Sequence, residues 1–184
     1  MSLPHAILGL LAREPMTGYD LKTRWFDRSL RYFWPADQAQ IYRTLDGLLA
    51  RGWAAVRVEP GGDRPNRKVY TPTEAGREEL ARWVATPQPL PTVRDPLLVQ
   101  LFTGADVPDE ALHSLLGQQR EAHRARLAEY EETRAFLTEL AVPDRQRRLW
   151  LLTVENGIGR ERAYLDWIET ALGALDGADR DSSR

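Results

Sequence analysis

Between Phe33 and Trp83 the hydrophobic period of the chain changes twice, which restricts the fold more than any other feature. Ile41, Leu45, Leu48 and Leu49 share one helical face, opened at Asp37 by a capping-box pattern with Gln40 and closed at Gly52 in a left-handed turn. From Trp53 to Glu59 the residues alternate, with Trp53, Val56 and Val58 as strand formers. Pro60-Gly61-Gly62-Asp63 is turn chemistry, and Arg67 to Thr71 reads as the returning strand. A further helix starts near Thr71-Pro72-Thr73-Glu74, capped by Thr71 or by Thr73, and turns Leu80, Trp83 and Val84 inward. Upstream, Leu3, Ala6, Ile7, Leu10 and Leu11 line a first helix that stops before Pro15. Thr17 caps a second helix through Tyr19, Leu21, Trp25 and Phe26, and Pro35 interrupts before the third. This order predicts a winged helix-turn-helix over residues 1–86.

Pro87, Pro89 and Pro91 mark a semi-stiff linker over 87–93. Beyond it the spacing predicts a short helix near Asp95–Thr103 and two long ones, Pro108–Ala141 and Pro143–Leu175. In the last, Leu151, Val154, Ile158, Glu161, Leu165, Ile168, Leu172 and Leu175 recur at steps of three and four, a coiled-coil seam with one polar member. Gly157 and Gly159 each cost about 1 kcal/mol inside a helix and suggest the close approach of another backbone. Two packing stripes on long helices ask for more partner surface than a small domain offers. Residues 94–176 are therefore expected to form a helical dimerisation domain, with the seam at the homodimer interface. The small, polar tail 177–184 is expected to be disordered. The fold class is mainly α with a small β-wing.

Charge divides along the same line. Residues 1–85 carry 13 Lys and Arg against 10 Asp and Glu, whereas residues 86–184 carry 12 against 17. A basic front and an acidic rear suit a nucleic-acid-binding module joined to a module of another purpose. The 184 residues contain no cysteine, which excludes disulfides, thiol nucleophiles and thiolate metal sites. The apolar stretch Ala6 to Ala12 has no basic leader, and no apolar run is long enough to span a bilayer, so a cytoplasmic protein without membrane contact is expected. His5, His113 and His123 lack helical metal-site spacing, and Gly61-Gly62 is not followed by Gly-Lys-Ser/Thr. Neither a catalytic centre, a metal nor a cofactor is expected.

Double-stranded DNA is the partner these features suit. Reading a duplex needs a helix that fits the major groove and cations that reach the flanking phosphates. The face opposite Ile41 and Leu45 presents Gln38, Gln40 and Arg43, residue types that pair with adenine and guanine edges. Tyr42 on the flank either donates to a phosphate or packs. Tyr19, Lys22 and Arg24 are candidates for backbone contacts from the preceding helix. Arg64, Asn66, Arg67 and Lys68 are the candidates on the wing.

These residues also carry a family resemblance. Phe33-Trp34, Gln40-Ile41-Tyr42, Leu45, Gly52, Arg64-Pro65-x-Arg67-Lys68-x-Tyr70, Thr73-x-x-Gly76 and Leu80-x-x-Trp83 closely resemble the PadR family of bacterial transcriptional regulators. Thr17-Gly18-Tyr19 and Leu21-Lys22 match its second-helix pattern. Asn156-Gly157-Ile158 through Leu165-Asp166-Trp167-Ile168 is similar to the C-terminal domain of its longer subfamily. The resemblance implies homodimers with interlocked C-terminal helices that hold two winged helices over a pseudo-palindromic operator. It also implies repression released by small aromatic or cationic compounds. Tyr130, Trp150, Tyr164 and Trp167 are then candidates to line an effector pocket, against the alternative that they pack the helices. Two positions depart from the family pattern: Asp37 replaces a common Ser or Thr, and Gly47 replaces a longer, often basic side chain. The alternative to a DNA-binding regulator is a winged helix that only binds protein or serves as scaffold.

Overall fold

The computed structural model describes residues 2–60 and 66–181, and it divides into two compact units, 1–91 and 92–184. In the first unit, α1 (Leu3–Leu11) starts on Pro4, whose missing N–H costs nothing in a first helical turn. Thr17 opens α2 with a full capping box, its side chain accepting from Asp20 N while Asp20 takes the Thr17 backbone N–H. After the α-helical turn Gly18–Asp20, α2 widens into a π-helix over Leu21–Phe26. The Asp27 N–H there reaches the Lys22 carbonyl at 2.9 Å. Helix α3 (Gln38–Ala50) ends at Gly52, whose φ of 68° lets Gly52 N and Trp53 N cap the Leu49 and Leu48 carbonyls.

The ribbon consists of β1 (Ala54–Glu59) and β2 (Arg67–Pro72), antiparallel in register from Ala54↔Pro72 to Glu59↔Arg67. At its base Met16 and Tyr70 exchange backbone hydrogen bonds, so β2 is tied on its other side to the segment before α2. The expected turn at Gly61–Asp63 lies outside the described residues. Helix α4 (Glu74–Ala85) takes Thr73, not Thr71, as its cap. Thr73 also donates to the Gly52 carbonyl at 2.6 Å, and the backbone is so close that a Cβ on Gly76 would lie 2.0 Å from Trp53 O. The core gathers Ile7, Leu8, Leu11, Met16, Leu21, Phe26, Ile41, Leu45, Leu48 and Tyr70, with Leu80 packed against it. His5 stacks on Trp83 and bonds Glu79 at 2.9 Å, joining α1 to α4. Val84, expected inward, is exposed, because α4 packs through Leu80 and Trp83 and ends at the next residue.

In the second unit Asp95 caps α5 (Pro96–Thr103), and α6 (Asp109–Glu139) runs antiparallel to α7 (Asp144–Asp181). α7 stays helical past Gly177, beyond the point where the tail was expected to begin. A ladder of polar contacts, three of them Arg–carboxylate ion pairs and two His–carboxylate contacts, sets the register: His113–Asp176, Arg120–Glu169, His123–Glu161, Arg162–Glu131 and Arg134–Glu155, from the open end to the turn. Most rungs are exposed and contribute about 0–1 kcal/mol each. The apolar stripe between them supplies the main adhesion.

Candidate nucleic-acid interface

The N-terminus of α3 is held by two reciprocal bonds, Gln40 N to Asp37 Oδ1 at 2.7 Å and Asp37 N to Gln40 Oε1 at 2.9 Å. Asp37 therefore fills the cap role of the Ser or Thr it replaces. The same geometry corrects the expectation for Gln40. With its side-chain carbonyl occupied, it can donate to a base edge but cannot pair adenine at two points unless the cap opens. Gln38 and Arg43 are exposed and have no side-chain partner among the described residues, which leaves both free to reach outward. One turn further on, Gly47 faces open space. It forms part of an open cleft of about 270 Å³ with Leu3, Pro4, Gln40, Arg43, Thr44 and Arg51. Arg51, which lies over the Trp53 ring, was not singled out from the sequence, although it falls one helical turn beyond Gly47.

On α2 and the ribbon the candidate cations separate into held and free. Arg24 donates to Glu14 Oε1 at 2.6 Å, Lys22 bonds Asp27, and Arg67 reaches Asp20 Oδ2 at 3.3 Å. Lys68 is exposed and has no partner among the described residues. Asn66 is exposed at the start of the returning strand, and Arg64 lies outside the described residues. Tyr19 is exposed on α2. The Tyr42 ring lies against Gly18, where a Cβ would fall 2.6 Å from Tyr42 Cε1, so this contact sets how closely α2 and α3 approach, and the side chain remains 37% exposed. The acids Glu14, Asp20 and Asp27 carry no signal of their own in the sequence, because their pairing with these cations depends on how α2 and the ribbon are folded. Burial works to raise the Asp20 pKa. The hydrogen bonds from Thr17 and the charges of Arg67 and Arg24 outweigh it and hold the carboxyl below its usual range.

The second unit uses its candidates differently. Ile168 is 0% exposed, Ile158 1% and Val154 7%, all within a single chain. The centre of the seam is covered by the chain itself, while Leu151 and Leu165 are half-buried and Leu172 and Leu175 are partly buried around Leu97, Leu116 and Ile168. Val154, Ile158 and Ile168, expected at the homodimer interface, are sealed within one chain, whereas Leu151, Leu165, Leu172 and Leu175 keep part of their surface. Glu161, the polar member, is hydrogen-bonded to His123 on α6. Tyr164 stacks on His123 with centroids 4.0 Å apart, meets Trp167 edge-on and donates to Asp95 Oδ2 at 2.6 Å. Tyr130 is buried against Gly157, whose Cβ would lie 2.4 Å from the ring, so an aromatic ring and not another backbone approaches that glycine. Trp150 is half-buried near the start of α7. These contacts give Tyr130, Tyr164 and Trp167 a part in holding the helices together. An open cleft of about 420 Å³ lies elsewhere, between His113, Gly117 and Arg120 of α6 and Glu169, Leu172, Gly173 and Asp176 of α7.

Comparison with known proteins places this geometry. Residues 7–82 match the family described as the Transcriptional regulator PadR-like family. Negative transcriptional regulator PadR of Bacillus subtilis (strain 168) is 30% identical over 179 residues, covering 95% of this chain and 97% of that protein. The chain belongs to the PadR-like family. Residues 93–176 match the Virulence activator alpha C-term family, so the PadR-like half and this helical half together account for most of the sequence. Probable transcriptional regulator Rv1176c of Mycobacterium tuberculosis is 35% identical over 187 residues, covering 95% of this chain and 98% of its own. The crystal structure of B. subtilis PadR in complex with operator DNA matches with a TM-score of 0.83 at 30% identity, over 95% of this chain and 99% of that one. The same protein in complex with p-coumaric acid matches at 0.79 and 29% identity, over 96% and 99%. PadR-like proteins are transcriptional regulators, and this winged-helix chain is one of them, not an enzyme. Among the described residues no helix is long and apolar enough to cross a membrane.

Proposed function

We propose that this chain is a sequence-specific DNA-binding repressor that acts as a homodimer on a pseudo-palindromic operator. The exposed face of α3 carries the reading: a doubly capped N-terminus presenting Gln38 and Arg43, which, like Lys68 on the ribbon, have no side-chain partner among the described residues. A helix so placed fits a major groove, and the ribbon cation fits an adjacent phosphate. The likeness to B. subtilis PadR bound to operator DNA supports it, and that protein's name as a negative regulator supports repression. Its complex with p-coumaric acid supports release by a small effector, with Tyr130, Trp150, Tyr164 and Trp167 as the positions to test.

The homodimer forms over apolar residues the chain leaves uncovered. Phe102 of α5 is 91% exposed, and Phe136, Leu149 and Leu152 are exposed beside the α6–α7 turn. Large exposed apolar side chains grouped at one end of a hairpin are candidates for contact with a partner.

Gel-shift and footprinting on the promoter of its own gene, with a salt titration, test the function. A dimer that neutralises about eight phosphates gives a slope of log K on log salt near −7. A protected pseudo-palindrome supports the proposal. An absence of salt-sensitive binding to any genomic fragment overturns it in favour of a protein-binding or scaffold module.

A further inference from the structure

Beyond Val69, which is still buried, the ribbon has few supports: Lys68 and Arg67 are both exposed. Up to Tyr70 β2 is bonded on both sides, to β1 and to Met16. From Val69 outward it is paired to β1 alone, and a lone two-stranded ribbon holds its direction weakly. Arg67, the first residue of β2, sits three positions past the Met16 tether and reaches back to Asp20 Oδ2 at 3.3 Å. The receiving carboxylate is itself immobilised, with Thr17 N donating at 3.1 Å and Thr17 Oγ1 at 2.7 Å. The wing is thereby braced against the same helical turn that packs, through Gly18, on Tyr42 of α3.

We propose that Asp20 is a positioning residue for DNA recognition: through Arg67 it fixes the direction of the wing relative to α3, so that Arg67 serves as a strut and Lys68 makes the phosphate contact. The inference rests on the reading that α3 and the ribbon face DNA. It opposes simple electrostatics, which says that any acid close to a phosphate surface weakens binding, so that removing Asp20 should tighten it. It also reverses the expected role of Arg67, because a cation already neutralised by a protein carboxylate does not displace a counterion from a DNA phosphate.

The test uses the full-length protein and its footprinted operator. Asp20→Asn keeps an oxygen for the Thr17 N–H but drops the charge, and a melting curve monitors the cap. An exposed ion pair is weak, so Asp20→Asn and Arg67→Gln are each expected to lose about three- to tenfold in operator affinity. The double variant should lose no more than either single one, and Arg67→Lys should recover most of the loss. The salt slope should stay unchanged in Arg67→Gln, while Lys68→Gln flattens it by about 0.9 per site. Tighter or unchanged binding by Asp20→Asn overturns the strut, as does additivity in the double variant or a flattened slope in Arg67→Gln. Failure of the wild-type protein to bind any DNA would count against the function proposed above and leaves no operator affinity to compare. The two failures are therefore distinguishable.

Discussion

Gly76 and Gly47 both sit in helices of the first unit, yet one added carbon acts on them in opposite directions. At Gly76 a Cβ would lie 2.0 Å from the Trp53 carbonyl oxygen, which is backbone and cannot rotate away. Gly76→Ala is expected to destabilise by about 1–3 kcal/mol or more through overpacking, read as a lower urea midpoint. At Gly47 nothing lies within 4 Å of the added atom. Gly47→Ala is expected to stabilise by about 1 kcal/mol through helix propensity alone. A destabilised Gly47→Ala protein would show that this backbone needs its glycine. Tyr164 offers a pH test. Burial, the hydrogen bond to Asp95 and the charges of Asp95 and Glu161 all raise its pKa. A raised pKa means the neutral phenol is favoured in the fold. Its stability is complete below the unfolded value near 10 and is lost as pH climbs towards the folded one. Tyr164→Phe is expected to cost about 1 kcal/mol at neutral pH and to remove part of the alkaline loss, measured by urea unfolding at pH 7 and above pH 10. An alkaline limb identical to wild type would contradict this.

At the scale of elements, the clearest consequence concerns α7. Ile168 is sealed between helices of its own chain. Ile168→Asp should therefore unfold the second unit, at a cost above about 3 kcal/mol, and not merely separate subunits. Circular dichroism with sedimentation checks this, and a fully helical monomer would restore the seam to the dimer interface. What could be read in advance follows from locality. The Asp37–Gln40 box, the Thr17 cap and the Gly52 stop are all closed within six residues, so their chemistry is visible in a short window. The wing strands were legible because alternation and turn residues coincide. The π-helical widening of α2 was not, since Leu21–Phe26 has the composition of any amphipathic turn. Nor does a stripe of apolar residues say what covers it: Val154, Ile158 and Ile168 announce burial, and only the register of α6 identifies the cover. Asp20 lies 47 residues from Arg67, beyond any local pattern, and Glu14 and Asp27 lie 10 and 5 residues from their cations, off the i, i+3 and i, i+4 spacings of a regular helix.

For the whole molecule, recognition depends on how two copies assemble. A dimer binds two half-sites at once, so its operator affinity far exceeds that of a single winged helix. Phe136→Glu with Leu152→Glu places charge on exposed side chains and leaves the core of each unit untouched. These changes should give folded monomers by sedimentation and a gel-shift affinity lowered by about a hundredfold or more. An intact dimer would move the interface elsewhere. The ladder between α6 and α7 has a consequence in time as well as in space. Its rungs nearest the turn, Arg134–Glu155 and Glu131–Arg162, span 21 and 31 residues, and each later rung closes a loop already shortened by the one before. Such a hairpin can zip from its turn outward, without waiting for a second chain. Newly made subunits should then reach their folded form at any concentration, and the encounter of two finished subunits becomes the step that expression level controls.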